Sequence, residues 1–482
     1  MRGLLSNKCL NYLASHAYLL VTAVIILTVL AAAAHPLYRT ALVGAGYTAE
    51  MLCSGLFVSH RKEPDIFAGE LSGPGYELLA LFFHTVEPDK KRVTASIPGF
   101  AYQTAIFRDG LGCTILNGRN EDELRAETVD LFPDPPPADS EALWPEGERV
   151  DLSAIDQRVD KALLDKAVEA TFAEPDPLHP RRTRAIVVVH HGRIVAERYA
   201  QGFDATMPLM GWSTSKSALN ALIGLRVKDG KLAVTDKALL PEWRGQGDKR
   251  SDISLDDLLR MSSGLDFDEN YDDSLADVAQ MLFAEGNQAK FAAGKELADP
   301  PGTHWHYSSG TSEIIARVLR ESFASERDYL RYPRERLFGP LGMRSAVMAP
   351  DASGTFMASS FLYATARDFA RLGLLFLQDG VWQGRRLLPD DWVVYSRGPA
   401  RTLADGSYGA HIWRRLPASP KFGVPPMPED AYYFLGHDAQ VIAVVPSREL
   451  VIVRLGLTRE GGNWDNARDL APIVQAFPQW EG

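Results

Sequence analysis

The longest uninterrupted apolar run lies at the amino end, where Ala17–Ala34 reads AYLLVTAVIILTVLAAAA without a charge. At about 1.5 Å per residue such a helix would be about 27 Å long, close to one bilayer core. Arg2 and Lys8 precede it, which favours an amino terminus on the cytoplasmic side. The run is long for the apolar region of a signal peptide, so a retained signal anchor is expected. A signal peptide ending at Ala31–Ala34 and a buried core helix are the alternatives. Either export reading places the bulk of the chain outside the cytosol, and the anchor reading makes it a single-pass inner-membrane protein with its main domain in the periplasm or outside the cell.

Further along, the pattern becomes that of a soluble domain. Ala185–Val189 and Ile194–Ala196 are β-rich runs separated by His190-His191-Gly192-Arg193, a hairpin signal. The carboxyl end repeats it with Gln440–Val445, Pro446-Ser447-Arg448-Glu449 and Leu450–Val453. Helical patterns lie between them. Thr365-Ala366-Arg367-Asp368 has the form of a capping box ahead of Phe369, Leu372 and Phe376, with Gly380 as the stop, and Ser254 is placed to cap a helix through Leu258 and Leu259. Strands at both ends with helices between them predict an α+β fold, its two hairpins sharing one antiparallel sheet flanked by helices. The proline-rich acidic stretch Phe132–Asp139 reads as an extended linker. Three regions are expected: residues 1–40 as cytoplasmic tip and anchor, 41–150 as an extension, and 151–482 as the main domain.

Composition changes this picture little. The 482 residues carry 51 Lys+Arg against 62 Asp+Glu, a formal charge of −11, so the chain lacks the basic excess that phosphate neutralisation needs and nucleic acid is not an expected partner. Of the three cysteines, Cys9 precedes the apolar run, whereas Cys53 and Cys113 follow it, where a disulfide can persist. These two are expected to pair, with buried free thiols as the alternative.

The chemistry is concentrated at Met210-Gly211-Trp212-Ser213-Thr214-Ser215-Lys216. Leu219, Leu222, Ile223 and Val227 continue it as a helical stripe that ends at Asp229-Gly230, so Ser213 should open a helix with Lys216 one turn along. A serine hydroxyl needs an adjacent base to act as a nucleophile. A lysine amine at i+3 reaches it, and burial at a helix amino terminus favours the neutral amine. The other S-x-x-K, Ser59–Lys62, lacks a helical stripe and reads as chance. Gly211–Ser215 fails the G-x-S-x-G elbow at its fifth position. His304 and His306 lack metal-hydrolase spacing, and no metal or organic cofactor is expected.

With these residues in place, the chain resembles the serine β-lactamase and penicillin-binding protein superfamily over roughly residues 180–460. It is similar above all to the class C-like branch that includes 6-aminohexanoate-oligomer hydrolases and related esterases. Ser213–Lys216 resembles the first motif and Tyr307-Ser308-Ser309-Gly310 the second. Leu258–Leu265, Ser359–Asp368 and Gly436–Gln440 complete an ordered set. The resemblance implies a β-lactamase/transpeptidase-like fold, Tyr307 as a proton relay whose phenol is lowered in pKa by the lysine, and an oxyanion hole built from the Ser213 and Gln440 N–H groups. His437-Asp438-Ala439 would stand at the K-T-G position, with His437 for the cation and Ala439 for the glycine, and Ser309 stands where β-lactamases usually carry Asn. The implied activity is cleavage of a small or peptide-like ester or amide through an acyl-enzyme on Ser213. A D-alanyl peptidase or weak β-lactamase is the alternative, and a non-catalytic penicillin-binding-like protein is the rival of another class.

Overall fold

The leading helix, Asn7–Phe57, is 51 residues long and changes character along its length. Between Ala41 and Ser54 almost every side chain is buried, because this half packs on an antiparallel sheet of order β1-β2-β3-β4 (Phe83–Glu87, Arg92–Ile97, Ala101–Arg108, Gly112–Ile115). The computed structural model describes residues 7–128, 131–132, 141–417, 427–459 and 461–479. The expected pairing is found: Cys53 on the helix and Cys113 on β4 form a disulfide with Cα atoms 6.1 Å apart. The four-stranded sheet was not expected, since its polar and apolar positions alternate only weakly in the sequence.

The Ala17–Ala34 run lies within the leading helix, and most of its side chains fall outside the described residues. Among the described residues no helix is long and apolar enough to cross a membrane, so the expected membrane helix is not among the elements found. Most of the expected linker, residues 133–139, also lies outside the described residues.

The two terminal hairpins do share one sheet. β5 (Thr183–His190) and β6 (Arg193–Tyr199) join β12 (Tyr432–Gly436), β13 (Gln440–Val445) and β14 (Leu450–Gly456) in the antiparallel order β12-β13-β14-β5-β6, with Val187 opposite Val453. The central runs are apolar at every position because both faces are covered. Ile186, Val188, Ala443 and Ile452 meet the helices Lys161–Phe172 and Asn466–Gln475. Val187, Val189, Ile442 and Val451 face the main core, on which the helix Ala366–Leu377 sits. That same core runs without a break from Val43 and Cys113 to Val453.

Between the hairpins, β7 (Leu209–Met210), β8 (Val347–Met348) and β9 (Leu362–Ala364) form a small sheet of order β7-β9-β8 beside the helices. A two-stranded ribbon, β10 (Val381–Trp382) and β11 (Arg385–Arg386), follows. The Ser254 cap forms a full capping box with Asp257. The Thr365 box is half present: Thr365 accepts from the Asp368 N–H, but the Asp368 carboxylate is taken by Ser345 and Arg371 instead of returning to the cap.

Candidate active site

Ser213 sits in a 3₁₀ turn, Trp212–Thr214, that runs directly into the helix Ser215–Lys228. Trp212 holds φ at +49°, a region that bulky side chains rarely adopt and that stores roughly 1–3 kcal/mol of strain. The turn is held from several sides. Ser215 Oγ donates to Trp212 O at 2.6 Å and accepts from Leu362 N at 3.1 Å, while the Trp212 indole packs edge-on against the His437 ring.

Lys216 is 2% exposed. Its Nζ donates to Ser213 Oγ at 2.9 Å, to Ser309 Oγ at 3.1 Å and to Ser359 O at 3.1 Å. Three motifs of the sequence thus converge on one nitrogen. Burial pulls its ammonium down to about 8, against the opposing pull of Glu269 and Glu313. The carbonyl of Lys216 is fixed as well: His411 Nδ1 donates to it at 3.1 Å, from an imidazole that burial drives down to about 3 and so keeps neutral.

The second motif is placed by a helix start. Ser308 caps the helix Ser309–Glu321 by accepting from Thr311 N at 3.1 Å, which leaves Tyr307 just ahead of the helix. The Leu258–Leu265 segment braces this stretch, for His306 N donates to Met261 O and Gly302 N to Ser262 O, each at 2.8 Å. The Tyr307 phenol faces the Ser213 hydroxyl, and Lys216 Nζ lies 5.1 Å from the centre of its ring. The expected lowering of the phenol pKa is corrected. Burial, reinforced by Glu269, pushes it well above the ordinary phenol range, with only the Ser213 hydroxyl opposing. Tyr307 is therefore a protonated donor at neutral pH.

Two acidic residues that the sequence did not single out belong here. Glu269 accepts from Ser309 N at 2.7 Å and from Ser309 Oγ at 2.5 Å, so Ser309 links Lys216 to a carboxylate. Burial raises the Glu269 pKa, with Lys216 opposing. Glu313 accepts from Ser359 N at 2.9 Å, which anchors the residue whose carbonyl accepts from Lys216 Nζ, and burial pushes its carboxyl up to about 8. Glu269 lies in an acidic stretch, Asp266–Asp273, that reads as solvated surface. Around Tyr307 stand Trp305, Tyr408 and Trp413, with Trp413 stacked on Tyr307 at 5.8 Å between ring centres.

The third-motif segment differs from expectation in two respects. Gly436 ends β12, and a Cβ placed on it would come within 2.4 Å of Gly211 O and 3.2 Å of Ser213 N. The close approach that the family's glycine permits therefore falls on Gly436, whereas Ala439 takes a left-handed φ of +61° in the following turn. The Gln440 N–H closes that turn on His437 O, which corrects its expected role as an oxyanion donor. Its side chain clamps the turn to β14 through Gly456 O at 2.8 Å and Gly456 N at 2.9 Å. His437 stacks on Tyr271 at 4.7 Å, and burial lowers its pKa, so it stands at the cation's position as a neutral imidazole.

Ser59 is structural, its hydroxyl donating to Pro208 O at 2.7 Å. His304 pairs with Asp299 and His306 with Phe267 O.

A family model described as Beta-lactamase matches residues 168–476. The 6-aminohexanoate-dimer hydrolase of Paenarthrobacter ureafaciens is 24% identical over 259 residues, 48% of this chain and 64% of its own length. The D-aminopeptidase of Brucella anthropi is 28% identical over 203 residues, 39% of this chain and 37% of its own length. The chain thus spans less than two thirds of either relative. Among solved structures, a candidate 6-aminohexanoate-dimer hydrolase from Bacillus anthracis superposes with a TM-score of 0.50 at 23% identity, over 65% of this chain and 79% of that one. That likeness speaks to the fold.

Proposed function

The chain belongs to the beta-lactamase family, and from that premise we propose that it is a serine hydrolase that opens an ester or amide bond through an acyl-enzyme on Ser213. The observation that carries the reading is the 2.9 Å contact between Lys216 Nζ and Ser213 Oγ, made by an ammonium that burial brings down to about 8. At pH 7 roughly a tenth of such a group is the free amine. That amine takes the Ser213 proton as Oγ attacks the substrate carbonyl, and the Ser213 N–H serves the developing oxyanion. Tyr307, a phenol held protonated, gives its proton to the leaving group and recovers it from the Lys216 ammonium. Water then attacks the acyl-enzyme by the reverse of the same proton path and restores Ser213.

The neutral His437 supports a narrower choice of substrate. A β-lactam or a D-alanyl peptide carries a carboxylate that wants a fixed cation, and an uncharged imidazole meets it weakly. Neutral esters and linear amides fit this site better. The non-catalytic reading is disfavoured by the joint presence of Ser213, Lys216 and Tyr307. The buried Cys53–Cys113 disulfide supports action in an oxidising compartment outside the cytosol, with the charge-free Ala17–Ala34 run as the inner-membrane anchor. The test is a panel of p-nitrophenyl esters, linear amides and a chromogenic cephalosporin, with mass spectrometry of the quenched enzyme. Turnover of neutral esters or amides with an acyl adduct on Ser213 is expected. Turnover confined to the cephalosporin would overturn the substrate choice.

A further inference from the structure

We infer that the amino-terminal extension, residues 41–128, is a working part of the active site, because it sets the His437–Ala439 turn through Arg459. The inference rests on the hydrolase reading above.

The turn is a demanding piece of backbone. Asp438 and Ala439 adopt φ of +57° and +61°, conformations that persist in non-glycine residues only when the surroundings over-determine them. The turn also follows Gly436 directly, so any shift in it is passed to the backbone of Gly211 and Ser213. From the sheet, Arg454 holds the carbonyls of Asp438 at 3.1 Å and Ala439 at 2.9 Å. The Asp438 carboxylate, itself buried, is held from the other side by Arg459 Nη1 at 3.3 Å and faces His437 Nε2 at 3.5 Å.

Arg459 in turn is seated on the extension. Its Nη1 donates to the Tyr76 hydroxyl at 2.7 Å and its Nη2 to Glu70 O at 2.8 Å. The guanidinium lies over the Tyr76 ring at 3.8 Å. Tyr47, on the leading helix, donates to the same Glu70 carbonyl at 3.1 Å. The leading helix is itself pressed close to the main domain: a Cβ on Gly46 would reach within 2.0 Å of Phe283 O. A continuous series of hydrogen bonds and ion pairs therefore runs from the leading helix through Glu70 and Arg459 to Asp438. A buried carboxylate that loses its cation is left uncompensated, and the turn would be expected to relax. Arg459, Asp438 and Tyr76 are accordingly positioning residues.

The experiment measures the second-order rate at which a fluorophosphonate labels the full-length protein, alongside its unfolding temperature. The proteins compared are wild type, Arg459→Ala, Arg459→Lys, Tyr76→Phe and, as a control within the extension, Arg92→Ala, which removes the ion pairs to Glu87 and Glu121. Arg459→Ala is expected to slow labelling about 10- to 100-fold, the scale of a small misplacement of reacting groups. Arg459→Lys should recover part of that loss. Tyr76→Phe should slow labelling about threefold at an unchanged unfolding temperature, in line with one lost hydrogen bond, and Arg92→Ala should label at the wild-type rate. A purely structural role would lower the unfolding temperature and leave the labelling rate of the folded protein intact. Wild-type labelling rates in folded Arg459→Ala and Tyr76→Phe would overturn the inference. Should Arg459→Ala not fold, Arg459→Lys and Tyr76→Phe decide by the same criterion. A wild type that is not labelled at all would overturn the hydrolase reading along with it.

Discussion

Gly436 lies against Gly211 so closely that a single added methyl group would sit 2.4 Å from the Gly211 carbonyl oxygen. The edge strand β12 and the turn that carries Ser213 are thereby in backbone contact, and the wall of the site has no slack. Gly436→Ala is expected to push the strand end off the Ser213 turn. Ester hydrolysis should fall about a hundredfold or more, the scale of an ångström-sized displacement of reacting groups, while the unfolding temperature falls only modestly. Steady-state rates and thermal unfolding of the same preparation check both parts.

The Lys216 amine must be neutral to take the Ser213 proton, and burial places its pKa at about 8. The sign follows: below that pH the base is protonated and idle, and above it the base is free. kcat/KM for a neutral ester should climb about tenfold per pH unit on the acid side and level off above about 8. Tyr307, raised by burial, remains a proton donor across this range. A pH–rate profile checks it, and an ascending limb centred near 6 would point to a different base.

Glu313 offers a stability counterpart. Its carboxyl titrates at about 8 in the fold against 4.5 as a free side chain, so the folded state binds more protons than the unfolded state between those values. Its contribution is fully present below 4.5 and is lost as pH rises towards 8. The wild-type unfolding temperature should therefore decline from pH 5 to pH 8. Glu313→Gln, which keeps an oxygen for Ser359 N, should flatten that decline and be the more stable protein at pH 8. Thermal unfolding scans across this range test it.

The Cys53–Cys113 bond closes a sequence separation of 60 residues. In the chain-entropy account such a loop contributes about 4 kcal/mol. Cys53→Ser with Cys113→Ser should lower the unfolding free energy by about that amount, measured by urea denaturation, and a reducing agent should do the same to the wild type.

How far the sequence disclosed this molecule depended on the range of each signal. The hairpins at Ala185–Ala196 and Gln440–Val453 were legible because β-rich runs and turn residues are local, and the full cap at Ser254 was legible for the same reason. The Ser213–Lys216 contact was legible because a spacing of three on a helix fixes a neighbour. The partners of Lys216 from other segments were not. Ser309 was noticed only as a departure from Asn, and Glu269 was hidden in an acidic loop whose burial is a tertiary property. The direction of the Tyr307 shift was misjudged for a related reason. The nearby cation was visible in the sequence, but the burial and the Glu269 charge that outweigh it were not. The four-stranded sheet of the extension was missed because β1 keeps an exposed face, so its strands carry no long apolar runs. The seat that Tyr76 and Glu70 provide for Arg459 joins residues almost 400 positions apart, beyond the reach of any local pattern.

The account rests on an amine making a nucleophile of the hydroxyl beside it, and fluorophosphonate labelling tests that most directly. The predicted result is a single adduct on the peptide containing Ser213, absent from Ser213→Ala and formed about 100- to 10,000-fold more slowly in Lys216→Met, the range that general-base assistance supplies. A folded wild type that takes no label, or a Ser213→Ala protein that still does, would contradict it.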